Sequence, residues 1–76
     1  MKEFIAYLIK NLVDNPEAVE VQLVDHQEEM TVEIRVSEGD IAKVVGRQGK
    51  IIKSLRTIAA TIGARFGRRI HLELIQ

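Results

Sequence analysis

The sequence contains no cysteine, which excludes a disulfide framework, a thiolate zinc site and a cysteine nucleophile. No apolar run approaches the length of a membrane span, and an acidic residue, Glu3, follows Met1-Lys2 at once. That pattern is neither a signal peptide nor a transmembrane helix, so a soluble, cytoplasmic protein is expected. The acidic residues are scattered over the first half with no pairing suited to acid–base catalysis, and no metal-ligand spacing occurs. His26 falls in a polar break and His71 on the polar side of an alternating stretch, neither beside a nucleophile or carboxylate constellation that spacing reveals. An enzyme, a cofactor and a small-molecule substrate are therefore not expected.

What is present fits one domain spanning 1–76, with 46% hydrophobic residues and a core too small to leave a deep catalytic cavity. The formal net charge is zero, which taken whole argues against a polyanion binder. The average hides a split. Residues 1–40 hold three basic and ten acidic side chains, a balance of −7, whereas residues 41–76 hold eight basic and one acidic, a balance of +7. Charge asymmetry of this kind points towards a polyanionic partner.

Periodicity orders the elements. Phe4, Ile5, Leu8, Ile9 and Leu12 form a helical stripe over residues 2–13, stopped by Asp14-Asn15-Pro16. Residues 18–25 and 30–36 alternate as half-buried strands, and with Asp25–Glu29 as the break between them they predict an antiparallel hairpin. Ser37 or Asp40 is placed to cap a short helix beginning at Ile41. Residues 49–64 form the longest helix, with Ile51, Ile52, Leu55, Ile58, Ala59 and Ile62 on the core side, ended by Gly63 or Gly67. Arg69–Ile75 alternates again. Arg65, Arg68 and Arg69 suit the stabilisation of that helix end better than a ligand contact. A returning strand after two helices favours a parallel crossover, so the fold class is α+β: a two-layer α-β-β-α-α-β arrangement with a three-stranded mixed sheet and three helices on one face.

Between the two later helices lies Val45-Gly46-Arg47-Gln48-Gly49-Lys50. A loop this short, built on two glycines, brings backbone N–H groups close to an anion, and the first N–H groups of the following helix have no helical partner. Lys43, Arg47, Lys50 and Lys53 surround it with positive charge. An ordinary helix–helix turn would use the glycines for backbone freedom alone; the flanking cations and the order of elements favour a phosphate clamp.

The run Val45-Gly46-Arg47-Gln48-Gly49-Lys50-Ile51-Ile52 matches the hydrophobic-Gly-x-x-Gly-x-x-hydrophobic signature of KH domains. With a helix and a strand preceding the strand-helix-helix-strand core, the whole chain resembles the second KH topology, and in particular the KhpA family of small bacterial single-domain KH proteins. That resemblance implies binding of single-stranded RNA across a groove beside the loop. Gly46, Arg47, Gln48 and Gly49 would hold the sugar-phosphate backbone, with Ile41, Val44, Val45 and Ile51 as the apolar groove floor and Lys43, Lys50 and Lys53 as cationic contacts. No aromatic residue lies near the loop, so stacking on rings is not expected to carry affinity. The resemblance further implies an RNA chaperone or post-transcriptional regulator, a homodimer, and a heteromer with a KhpB (Jag)-type protein linked in some bacteria to cell elongation and division. The small face Thr57, Ala60, Thr61 and Ala64 is the candidate contact. Two other readings remain at this point: a protein-interaction adaptor on the same fold, and a single-stranded DNA binder.

Overall fold

The computed structural model describes residues 1–76. The elements run α1 (Lys2–Lys10), β1 (Glu20–His26), β2 (Glu29–Arg35), α2 (Ile41–Val45), α3 (Lys50–Arg65) and β3 (Arg69–Leu74). The order is the α+β one that periodicity predicts, and a 3-10 turn at Pro16–Ala18 occupies the start of the expected first strand. The strand order is β1-β2-β3, with β1 antiparallel and β3 parallel to β2.

The polar break between the first two strands is shorter than its composition suggests. His26 pairs with Glu29, which leaves Gln27 and Glu28 as the whole turn, and Gln27 takes a φ of 53° to make it. Asp25, His26 and Glu29 are strand residues, because cross-strand pairing holds polar positions in extended form as readily as apolar ones.

Register sets the core. Val21 faces Ile34 and Val32 faces Leu72, and this inner face meets Ile5 and Ile9 of α1, Val44 of α2, and Ile52, Leu55 and Ala59 of α3. The buried stripe of α3 continues through Gly63. A Cβ there would lie 2.6 Å from the Arg68 carbonyl oxygen and 2.8 Å from Ile70 Cγ1. Gly63 is thus the point where α3 presses on β3 rather than the end of the helix. The stop comes later, where Gly67 adopts a φ of 68° just past the helix end.

The chain leaves α3 through a cluster at the hairpin turn. Arg68 pairs with the Asp25 carboxylate and donates from Nη2 to the Gln27 carbonyl at 2.7 Å. Arg69 and His71 lie 3.8 and 3.7 Å from Glu29. The hydrogen bond from Arg68 holds the Asp25 carboxyl below the usual aspartate range.

Candidate nucleic-acid interface

The loop after α2 is formed by backbone conformations that only part of the amino-acid alphabet tolerates. α2 closes with the Gly46 N–H on the Ala42 carbonyl at 2.9 Å. Gly46 itself sits at φ 78°, ψ 173°, a region essentially reserved for glycine. A Cβ at Gly46 would meet Ile51 Cγ1 at 2.5 Å, so conformation and packing exclude a side chain there independently. The Gly49 N–H donates to the Gly46 carbonyl at 3.1 Å. Gln48 and Gly49 both take left-handed conformations, at φ 57° and 73°. Gln48 is not glycine, and a strained non-glycine residue beside a tight turn is characteristic of ligand-holding loops. The result reverses the chain into α3, whose first N–H, that of Lys50, is bonded to the Arg47 carbonyl.

Around this turn, Arg47, Gln48, Lys50 and Lys53 are exposed, and Arg47, Lys50 and Lys53 make no ion pair with the protein. Ile41, Val45 and Ile51 are half-buried at the same end of the molecule. Val44 is not with them: it is fully buried in the core, because its place on α2 points it at the sheet and α3. Its side chain therefore cannot floor a groove.

Lys43 also departs from the expected role of a free cation. Its Nζ lies 3.1 Å from Asp14 Oδ2 and 3.7 Å from Asp40 Oδ1. Asp40, only 4% exposed, occupies the position expected for a helix cap but does not cap. Its two carboxylate oxygens instead accept the backbone N–H groups of Asp14 and Asn15 at 3.1 and 3.0 Å, the donors left over where α1 gives way to the Pro16 turn. Ser37 makes no capping hydrogen bond either. The N–H of Asp14, then that of Asn15 and the charge of Lys43, hold the Asp40 carboxyl below the usual aspartate range, against the opposing effect of burial. The Asp14 carboxylate raises Lys43 in return. Asp40 thereby fastens α2, and the loop it carries, to the α1–β1 connection. Nothing in the local sequence announces this, since the partners lie 25 and 26 residues apart.

A shallow groove of about 380 Å³ runs along the outer edge of the sheet, lined by Arg56, Ala60, Ile70, His71, Leu72 and Glu73. β3 is an edge strand. The N–H groups of Arg69 and Ile75 bond to Glu28 and Ile34 on the β2 side, so by alternation Ile70, Leu72 and Leu74 turn their main-chain groups outward. Arg56 reaches over from α3 and donates from Nε to the Leu72 carbonyl at 3.2 Å. The sequence marks neither the edge nor this contact.

A glycine-bounded loop between two helices, set after an antiparallel hairpin and before a parallel third strand, defines a KH domain of the second topology. The family model described as KhpA/KhpB, KH domain matches residues 2–74, and the chain belongs to this family. It is similar to the RNA-binding protein KhpA of Chlamydia trachomatis, with 40% identity over 76 residues, covering 100% of this chain and 97% of the relative. The RNA-binding protein KhpA of Aquifex aeolicus is 36% identical over 76 residues, at 100% and 96% coverage. That of Listeria monocytogenes is also 36% identical over 76 residues, with both chains covered completely.

Proposed function

We propose that this chain is a non-catalytic RNA-binding protein that grips the backbone of single-stranded RNA with Gly46-Arg47-Gln48-Gly49. The observation that carries this is the loop itself: a glycine-bounded turn, held against Ile51 and set among three cations with no protein partner. Phosphate oxygens are the ligand such an arrangement suits. Lys50 and Lys53, on the first turn of α3, extend the contact along the strand, while Ile41, Val45 and Ile51 offer apolar surface to the bases. Lys43 contributes through position, by bracing α2.

Few phosphate contacts give weak, salt-sensitive binding. A chaperone or post-transcriptional regulator of this kind, acting in the cytoplasm, gains avidity by pairing, either with a second copy or with a KhpB-type protein. The exposed face Thr57, Ala60, Thr61 and Ala64 supports such a contact. The hydroxyls of Thr57 and Thr61 already donate to carbonyls of their own helix, Lys53 and Thr57, at 3.1 and 2.8 Å, so the face buries little unmet polarity. The test of RNA binding is the double substitution Arg47→Asp with Gln48→Asp. Fluorescence anisotropy with a labelled oligoribonucleotide should show at least about a tenfold loss of affinity from placing two negative charges against phosphate, with thermal unfolding almost unmoved because both residues are exposed. Unchanged affinity would remove the clamp.

A further inference from the structure

We propose that the free edge of β1 is a docking site for an extended acidic peptide of a partner protein, which joins the sheet as an added strand. The site is independent of the RNA-binding reading. No residue of the glycine loop lines it, and it lies along the edge of the sheet away from β3.

The direction of the ladder bonds identifies the open edge. The N–H groups of Arg69 and Ile75 bond to the carbonyls of Glu28 and Ile34, so even-numbered residues of β2 turn their main chain towards β3 and odd-numbered ones towards β1. The register sets Glu33 against Gln22 and Arg35 against Glu20. Glu20 and Gln22 therefore exchange bonds with β2, and Val21 and Leu23 direct their N–H and C=O groups away from the sheet. No turn, cap or side chain takes these groups up. At the β3 edge, by contrast, Arg56 already lies on the Leu72 carbonyl.

A groove of about 510 Å³ runs beside the β1 edge, with Val19 and Val21 among its lining. Its helix wall is the flank Lys2, Ala6 and Lys10, one residue from each turn of α1. Ile5 and Ile9 of the same helix enter the core, so this flank overhangs the edge on the helix side of the sheet. Lys2 and Lys10 are exposed and neither has a carboxylate partner. The other wall, on the face without helices, is of mixed sign, with Glu20, Glu33 and Arg35.

A free strand edge binds an extended peptide through the main chain, and the flanking side chains select its sequence. On the helix side that selection is for negative charge. Lys2 and Lys10 stand about 12 Å apart along the helix axis, and side chains four residues apart on one face of a strand stand about 13 Å apart. The occupant is thus a segment with acidic residues at positions i and i+4 and a small apolar residue between them, against Ala6. A second copy of β1 fits less well, since it would offer the lysines Val21, Leu23 and an Asp25 already paired with Arg68. Lysines beside an edge discourage such self-pairing.

The probe is a fluorescein-labelled, end-capped peptide Thr-Glu-Thr-Val-Thr-Glu-Thr, with Thr-Lys-Thr-Val-Thr-Lys-Thr as its counterpart. Anisotropy with the wild-type protein should show saturable binding of the acidic peptide and at least about fivefold weaker binding of the basic one. Lys2→Glu with Lys10→Glu should reverse that order, circular dichroism verifying that the fold is kept. Arg47→Asp with Gln48→Asp should leave it unchanged. Amide exchange followed by NMR separates strand addition from loose charge attraction: the acidic peptide should slow exchange at Val21 and Leu23 at least about tenfold. The assignment is overturned by the absence of saturable binding, by binding that leaves both amides unprotected, or by an order of affinity that survives the charge reversal. It is overturned equally if Val21 and Leu23 become protected as protein concentration rises without peptide, the occupant then being a second copy, or if an oligoribonucleotide protects them.

Discussion

The two ends of α3 treat positive charge in opposite ways. At the C-terminal end, Arg68 is taken up by Asp25 and the Gln27 carbonyl, and Arg69 lies near Glu29, while Arg65 on the last turn stands alone without a carboxylate. At the N-terminal end, Arg47, Lys50 and Lys53 surround a strained turn and meet no carboxylate. Both ends are rich in cations, and charge counting does not tell them apart. Pairing does. A cation satisfied within the fold is structural, and a group of unsatisfied ones gathered on a rigid backbone is available to an anion. Lys43 marks the boundary, since it lies three residues before the loop yet belongs with the structural set.

The comparison breaks most severely at Gly46. Gly46→Ala forces a Cβ into Ile51 and a backbone conformation that alanine avoids, so a stability loss of about 2–3 kcal/mol is expected, together with loss of RNA binding. Denaturant unfolding and anisotropy measure the two effects. Asp40→Ala comes next. It strands the Asp14 and Asn15 N–H groups, and Tm should fall by about 5–10 °C, with RNA affinity weakened only as far as α2 loosens.

Acid titration sharpens the same point. Asp40 and Asp25 are both held below the usual aspartate range. The stability they contribute is complete above the ordinary value of about 3.9 and is lost as pH falls through the lower folded values. Unfolding followed by circular dichroism should steepen below about pH 4, and less so in Asp40→Asn. The smallest effect belongs to the other end of α3. Arg68→Gln should lower Tm by about 3 °C and leave RNA affinity unchanged within about twofold, because the side chain it loses is bound to the hairpin and not to a ligand.

Much of the fold is legible in the sequence because its signals are local. Alternation over 30–36, the helical stripe of α1 and the glycine pair each act within a few residues, and together they fix the order of elements. The loop is legible for the same reason. What is not legible depends on residues distant along the chain. Asp40 has the identity and position of a helix cap, and only the fold brings it under Asp14 and Asn15. Gly63 resembles a helix stop until β3 returns to pack against it. Val44 sits in the loop motif like a groove residue, but the tilt of α2 sends it into the core. The edge of β3 and the reach of Arg56 are products of strand order, which no single segment encodes.

The central claim, that pairing separates binding cations from structural ones, is tested most directly by the salt dependence of RNA affinity in two charge-matched variants. Lys50→Gln with Lys53→Gln and Arg68→Gln with Arg69→Gln each remove two positive charges. The first pair should lower the slope of log affinity against log salt by about 0.7 for each lost phosphate contact, and the second should leave it at the wild-type value. Equal changes in slope for the two variants would contradict the account, since binding would then follow total charge and not the unpaired set beside the loop.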